Sequence, residues 1–311
     1  MLISCGDALI DFVPVVTVDG REAVMPSVGG SCLNVAIGMA RLGAPTGFVG
    51  GISTDMFGQM IADHAAASNV GLGHATRSDH QTTLAFVRVV AGESNYAFYD
   101  AETASRNWRY QRGTIPFETI EAVHVGSTTL VNDTGAAETQ ALIAAAKAHA
   151  TISFDPNCRP NLVKDKPAYL ARMAAFAAHA DIVRMSDVDF TYLYGEEPYR
   201  QRANVLLGQG IGLVVITRGV DGAVAWHPAT GQVEVQAPAI KVADTIGAGD
   251  SFQAALLFAL HKQGRLQRQR LCDIGADELR RALSFAANCA GLTCTRPGAD
   301  PPSISEVSSA W

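Results

Sequence analysis

Residues 244–250 read DTIGAGD, and after Ser251 comes the apolar run FQAALLFAL. Gly247, Ala248 and Gly249 carry almost no side chain, so a ligand can approach the backbone closely. The apolar run reads as a buried helix. Bare backbone N–H groups then stand at a helix N-terminus, where the summed peptide dipoles favour negative charge. That is a cradle for a phosphate, or for charge developing on one. Asp250 lies at its lip. A carboxylate there can take a proton from a hydroxyl while the cradle holds phosphoryl oxygens. The same residues also suit an ordinary tight strand-to-helix turn with an Asp near the helix start, so the chemistry needs further support.

Five other stretches supply it. GDALID places Asp7 and Asp11 after the first strand, and VGGSCLNVAIGMARLG fills residues 28–43. The pair Gly29 and Gly30 opens the backbone, and Asn34 falls one turn into a helix. Asp11, Gly30 and Asn34 suit adjacent hydroxyls, because a carboxylate accepts from two and an amide both donates and accepts. The alternative is a Gly-rich turn with a capping Ser31 and a solvated Asp. FDPNCRPN, residues 154–161, crowds Asp155, Asn157 and Arg159 at a strand end. Arg159 can fork onto a phosphate or a hydroxyl pair, or be a surface Arg on an Asp-Pro-Asn turn. TRGVDGA, residues 217–223, offers Thr217, Gly219 and Gly222 for a tight turn against a nucleotide, though such turns are also plain connectors. ANCAGLTCTRPGA, residues 287–299, reads as a helix entering a tight loop, with Asn288 facing an adenine or ribose or making local bonds. The eight histidines share no spacing, and HExxH is absent. There is no GxxxxGK followed by Ser or Thr, and no GxGxxG, which excludes the P-loop and dinucleotide motifs.

These loops need a frame. Strand-like apolar runs fall at 2–5, 47–50, 84–90, 122–125, 151–154, 182–185, 213–217 and 223–226. Several lack polar alternation, as expected of parallel strands buried on both faces. Helical segments fall at 31–42, ending at Gly43, at 134–149 with Asp133 as the cap, at 168–178 and at 276–289. Alternating strands and helices imply a parallel sheet layered by helices, with ligands beyond the carboxyl ends of the strands. Residues 10–25 and 82–99 alternate polar and apolar, and read as a small antiparallel flap. The chain is thus one α/β domain, 1–311, with a β lid formed by about 10–25 and 82–110. A closing lid excludes water, which keeps a phosphoryl transferase from hydrolysing its nucleotide.

Composition agrees. The chain has 311 residues, 48% hydrophobic and 17% charged, which suits a compact globule. A net charge of -6 without a Lys/Arg block argues against nucleic acid and anionic membranes as partners. No stretch approaches the roughly 20 apolar residues needed to span a bilayer. The N-terminus lacks the pattern of a signal peptide. The six cysteines have no CxxC or metal-ligand spacing, which suits reduced thiols of a cytoplasmic protein.

Taken together, the pieces resemble the ribokinase-like family of carbohydrate kinases. GGSCLNVAIGMARLG is similar to its first signature and DTIGAGDSF to its second, with FDPNCR and TRGVDGA between them at fitting intervals. The resemblance implies a three-layer α/β/α fold with a mostly parallel central sheet and a small β lid. It implies transfer of the γ-phosphoryl group from ATP, with Mg2+, to a sugar hydroxymethyl. Asp250 would then be the base and Gly247, Ala248 and Gly249 the anion hole. Asp11, Gly29, Gly30, Asn34, Tyr99 and Arg159 would contact the sugar or the moving phosphate. Thr217, Gly219, Gly222 and Asn288 would line the nucleotide site. A monovalent cation, K+, would sit among backbone oxygens at Asp244, Ile246, Thr293, Arg296 and Gly298. Where the family has N-x-x-E tied to magnesium and phosphate, this chain has SDVD, Ser186 to Asp189. Asp189 is one methylene shorter than Glu, and Asp187 stands nearby to compensate.

Within the family, GDALIDFVP, FDPNCR, the TCTRPGA tail and the aromatic segment 96–106 are most similar to fructokinases. Ketodeoxygluconate kinases share DxNxR segments, and ribokinases and aminoimidazole riboside kinases belong to the same class. The altered SDVD leaves a sugar- or nucleotide-binding sensor as the reading from a different class. The intact GAGD argues against it, since a pure binder needs no base. An exposed flap edge invites a homodimer through the lid.

Overall fold

A computed structural model describes residues 1–90 and 93–307. The chain opens with β1 (Leu2–Cys5), the hairpin β2 (Leu9–Val16) and β3 (Glu22–Gly29), and helix α1 (Ser31–Arg41). Then come β4 (Thr46–Val49), β5 (Gly51–Ser53), α2 (Met56–Ala67), β6 (Val70–Gly71), β7 (Thr76–Ser78), β8 (Thr83–Val90) and β9 (Glu93–Tyr99). Regular alternation follows: β10 (Ala122–Gly126), α3 (Asp133–Ala146), β11 (Thr151–Asp155), α4 (Lys166–His179), β12 (Ile182–Ser186), α5 (Asp187–Tyr194), α6 (Tyr199–Gly208) and β13 (Leu213–Thr217). The hairpin strands β14 (Ala223–His227) and β15 (Gly231–Val235) precede α7 (Ala248–Lys262), α8 (Arg268–Cys272), α9 (Ala276–Cys294) and α10 (Ile304–Val307).

The main sheet runs β15-β14-β13-β12-β11-β10-β1-β4-β6. From β6 to β13 every pairing is parallel, and β14 and β15 add an antiparallel edge. Successive side chains point to opposite faces. Val123, Val125, Ile152, Phe154, Val183 and Met185 therefore share one core, with Leu142 of α3 and Phe176 of α4. Ala122, Ile182, Leu213 and Val215 face the other way, onto α7 and α9. Helices thus cover both faces of a mostly parallel sheet.

The face under α7 also carries buried polar residues: Ser4, His124, Ser153 and Arg184. His124 Nδ1 meets Ser153 Oγ at 3.1 Å, and Gln253 of α7 donates to the same oxygen at 2.7 Å. Burial, reinforced by the Arg184 charge, pushes His124 down to about 3, so it is neutral. Helix α7 also crosses α1 closely, because a methyl on Gly38 would lie 2.6 Å from Ala254 Cβ.

The lid is a four-stranded sheet, β3-β2-β8-β9. Its two hairpins are antiparallel, but β2 and β8, which join them, run parallel. The wholly antiparallel flap expected from the sequence is corrected in that respect, since alternation marks strands without naming their partners. Residues 91 and 92 of the expected lid lie outside the described residues. Its strands end at Tyr99, and Trp108 and Tyr110 are buried in the main core with Ile115 and Phe117. The cap of α3 is Asn132, whose side chain accepts from Thr134 N at 3.1 Å; Asp133 instead pairs with Arg172. No helix among the described residues is long and apolar enough to cross a membrane.

Candidate active site

Helix α7 starts where the sequence places its cradle. Gly247 is the N-cap, in the left-handed region with φ 75°, where a side chain would be strained. Ala248, Gly249 and Asp250 form the first turn, whose N–H groups lack intrahelical acceptors. Ser251 N is the first to find one, the Gly247 carbonyl at 2.8 Å. Ala248 N reaches the Thr245 carbonyl at a long 3.3 Å. A methyl on Gly249 would lie 2.9 Å from a terminal nitrogen of Arg184, so only glycine fits there without displacing that side chain.

Asp250 is buried, 8% exposed, and both of its oxygens are held from α1. Ser31 Oγ donates to Oδ1 at 2.6 Å, and Asn34 Nδ2 donates to Oδ2 at 2.9 Å. Ser31 does not cap α1, whose N-cap is Gly30; it orients the carboxylate. Asn34 is turned to Asp250 as well as lining the cavity. Burial raises the Asp250 carboxyl above 3.8, with the Ser31 and Asn34 bonds pulling the other way. A carboxylate raised by desolvation is a stronger base than a solvated one.

Asp7 fixes α1 against the sheet. Its Oδ1 accepts from Cys32 N at 3.0 Å, and its Oδ2 accepts from the hydroxyls of Ser127 at 2.8 Å and Thr128 at 2.9 Å. Ser127 also donates to Asn157 at 3.3 Å. Both residues have positive φ, 64° and 40°, strain of the kind that concentrates at functional sites.

These groups open onto a cavity of about 320 Å³ beyond the strand ends, lined by Asp11, Gly30, Asn34, Tyr96, Arg159, Gly247, Gly249 and Asp250 among others. Asp11 comes from β2 of the lid. A methyl on Gly29 would lie 2.1 Å from its Oδ2, so that glycine makes room for the carboxylate. Burial raises Asp11 to about 7; the Arg159 charge opposes this, and Asp7 and Asp250 add to it. Arg159 bends back onto the carbonyls of Cys158 at 3.0 Å and Asn157 at 3.2 Å, and its guanidinium lies 5.9 Å from the Tyr96 ring centre. Asn161 donates to the Tyr96 carbonyl at 2.8 Å and so ties β9 of the lid to this loop. A buried carboxylate, an amide-bearing helix end and further polar side chains thus converge on one space.

A match to the pfkB family carbohydrate kinases runs over residues 1–306. The chain belongs to this family. It is 36% identical over 282 residues to a fructokinase of Rhizobium leguminosarum bv. trifolii, covering 90% of this chain and 86% of that one. The crystal structure of a fructokinase with bound ATP from Xylella fastidiosa superposes with a TM-score of 0.90 at 28% identity, covering 99% of this chain and 97% of that one. A Vibrio cholerae fructokinase with fructose, ADP and calcium ion superposes at 0.82 and 28% identity, covering 96% and 94%. The ribokinase-like fold expected from the two signatures is thereby established.

Some expected site residues lie elsewhere. Tyr99 is 64% exposed and its ring meets Phe86. Tyr96 and Phe98 line the cavity instead, as two-residue alternation requires. Thr217, Gly219, Gly222 and Asn288 are outside the lining. Thr217 is joined to the site through Arg184, and a methyl on Gly222 would lie 2.1 Å from the Val235 carbonyl, which explains that glycine by packing alone. Asp189 is the N3 residue of a capping box on α5: Oδ2 accepts from Ser186, and Oδ1 from Cys158 N at 2.8 Å. Asp244 accepts from Ile246 N at 3.0 Å and Gly298 N at 2.8 Å, so it draws the segments at 244–246 and 293–298 together. The carbonyls of Thr293 and Gly298 accept from Arg296 N and Asp300 N. Among the described residues, no cluster of three His, Cys, Asp or Glu side chains could hold a metal.

Proposed function

We propose that the chain transfers the γ-phosphoryl group of ATP to a hydroxymethyl of fructose. The observation that carries this reading is Asp250, buried and held at both oxygens, beside a helix-end amide cradle in a polar cavity. The fructokinases among its relatives, two of them crystallised with ATP or with fructose and ADP, support the substrate pair.

Phosphoryl transfer asks mainly for positioning and charge stabilisation. Asp11, Asn34 and Arg159 are placed to hold the sugar hydroxyls, with the acceptor hydroxyl facing Asp250. As the new O–P bond forms, the proton passes to an Asp250 oxygen, the bond to ADP breaks, and the first-turn amides meet the phosphoryl oxygens. Ser31 and Asn34 keep the carboxylate aimed throughout. The lid strands bring Asp11 and Tyr96 over the sugar, and their closure keeps water out.

Asp189 Oδ1 accepts from Cys158 N and Oδ2 from Ser186, so Asp189 would reach magnesium only through a water. Magnesium enters this reading with the nucleotide, because Mg2+ keeps waters and phosphate oxygens as ligands. A monovalent ion would sit among the carbonyls of Asp244, Ile246, Thr293, Arg296 and Gly298, two of which also accept from backbone amides. Asp244 already gathers their two segments, and K+ there would neutralise charge just ahead of the cradle. The free cysteines support a cytoplasmic setting, and the exposed Val24, Met25 and Tyr99 of the lid support a homodimer through it.

A coupled ADP-release assay over ketoses, aldoses, ketodeoxygluconate and ribosides tests the reading. Fructose should give the highest kcat/KM. Turnover no faster with any sugar than without one would overturn the kinase assignment, and preference for ketodeoxygluconate or a riboside would overturn the substrate.

A further inference from the structure

Arg184 interrupts the otherwise apolar stretch Ile182, Val183 and Met185 of β12, on the face that α7 covers, and it is 4% exposed. One terminal nitrogen pairs with Asp155 Oδ2 at the end of β11, at 2.6 Å. The other donates to Thr217 Oγ1 at the end of β13, at 2.5 Å. A guanidinium has five N–H donors. Among the described residues Nε finds no partner, although it is fully buried. Both terminal nitrogens lie directly beneath the cradle, 2.9 and 3.1 Å from where a methyl on Gly249 would be. Stability does not call for this arrangement, because a buried ion pair is commonly no better than apolar side chains of the same volume.

We propose that Arg184 is a positioning residue for phosphoryl transfer, clamped by Asp155 and Thr217 so that it fixes Gly249 and sets a permanent positive charge behind the amide cradle. It would thereby join the strand end that serves the sugar to the strand end that serves the nucleotide. A charge already in place needs no reorganisation as negative charge develops on the phosphoryl oxygens. The inference rests on the kinase reading and adds to it a residue absent from both signature segments.

The test is a double-mutant cycle on the full chain, with kcat and both KM values read by ADP release. Arg184→Met should lower kcat about 100-fold with sugar KM within about threefold, the size of effect seen when a preorganised donor is lost. Arg184→Lys, which keeps the charge and loses the fork, should recover about tenfold of that. In an Asp155→Asn background, Arg184→Met should still cost at least about 30-fold in kcat, by the same argument. If the loss vanishes in that background, Arg184 merely neutralises Asp155 and the proposal is overturned. A Lys variant as slow as the Met variant, or a loss confined to sugar KM, overturns it too. If Arg184→Met alone does not fold, the neutral pair Asp155→Asn/Arg184→Met and the Lys variant carry the comparison. Failure of the unaltered chain to phosphorylate any sugar sinks the kinase reading itself; an active chain with a recovering double variant sinks this inference alone.

Discussion

Replacing Asp250 by Asn separates chemistry from architecture in this site. The carboxylate accepts from Ser31 Oγ at 2.6 Å and from Asn34 Nδ2 at 2.9 Å. An Asn carbonyl facing Asn34 keeps the second bond. Its NH2 then faces Ser31, whose hydroxyl can rotate and accept, since a hydroxyl is both donor and acceptor. The Asn34 donor keeps its acceptor, only the Ser31 hydroxyl must turn its proton elsewhere, and a buried charge disappears. Because folding raises the Asp250 carboxyl above 3.8, its ionised form works against stability at neutral pH. The variant should therefore melt at the same temperature or higher, and bind fructose normally by calorimetry. Turnover should fall at least about 100-fold, the usual worth of a positioned base, which is about 2.7 kcal/mol of barrier. Asp250→Ala is the contrast: it strands the two donors, at about 1–3 kcal/mol each where no water replaces the carboxylate, so it loses stability as well. A folded Asp250→Asn protein with near-normal ADP release would refute the assignment of the base.

Asp11 predicts a pH dependence in sugar affinity. With its carboxyl raised to about 7, lowering the pH from about 8 to about 6 removes the acceptor and should raise sugar KM about tenfold, a slope that Asp11→Asn should flatten. Since folding raises this group, the stability it contributes is present below 3.8 and lost as pH rises through about 7. Asp11→Asn should therefore raise Tm at pH 8 by more than at pH 5. Gly29→Ala drives a methyl to 2.1 Å from Asp11 Oδ2; sugar KM should rise about tenfold or more, the reach of a roughly 1 Å misplacement, with nucleotide KM unchanged. Asp244→Ala releases the amides of Ile246 and Gly298. Stimulation of turnover by K+ over Li+ should then disappear, and stimulation equal to that of the unaltered chain would remove Asp244 from any cation site.

Most strands of the main sheet were legible to within a residue or two because short runs such as LVVIT are apolar, rich in β-branched residues and bounded by turn formers, whereas the short or exposed β5, β6, β7 and β15 were not read. The DTIGAGD loop announced its own helix. What stayed hidden is what only three dimensions supply. Ser31 has the sequence look of a cap and becomes an orienting group because α1 and α7 cross. Helix α2 buries little more than Gly58, Ile61 and Ala65, too thin a stripe to register as a period. Tyr99 and Tyr96 are both aromatics of one strand, and nothing local says which faces inward. Arg184 did leave a signal: a charge in an apolar strand must find a partner when buried.

The bonds to Asp250 join residues 219 and 216 positions apart in the chain. A ribosome releases the N-terminal hydroxyl and amide long before the carboxylate they aim. A nascent or truncated product without α7 thus lacks the proposed base and the helix-end amides together. Under the proposed function, competence requires the last third of the polypeptide to dock against the first.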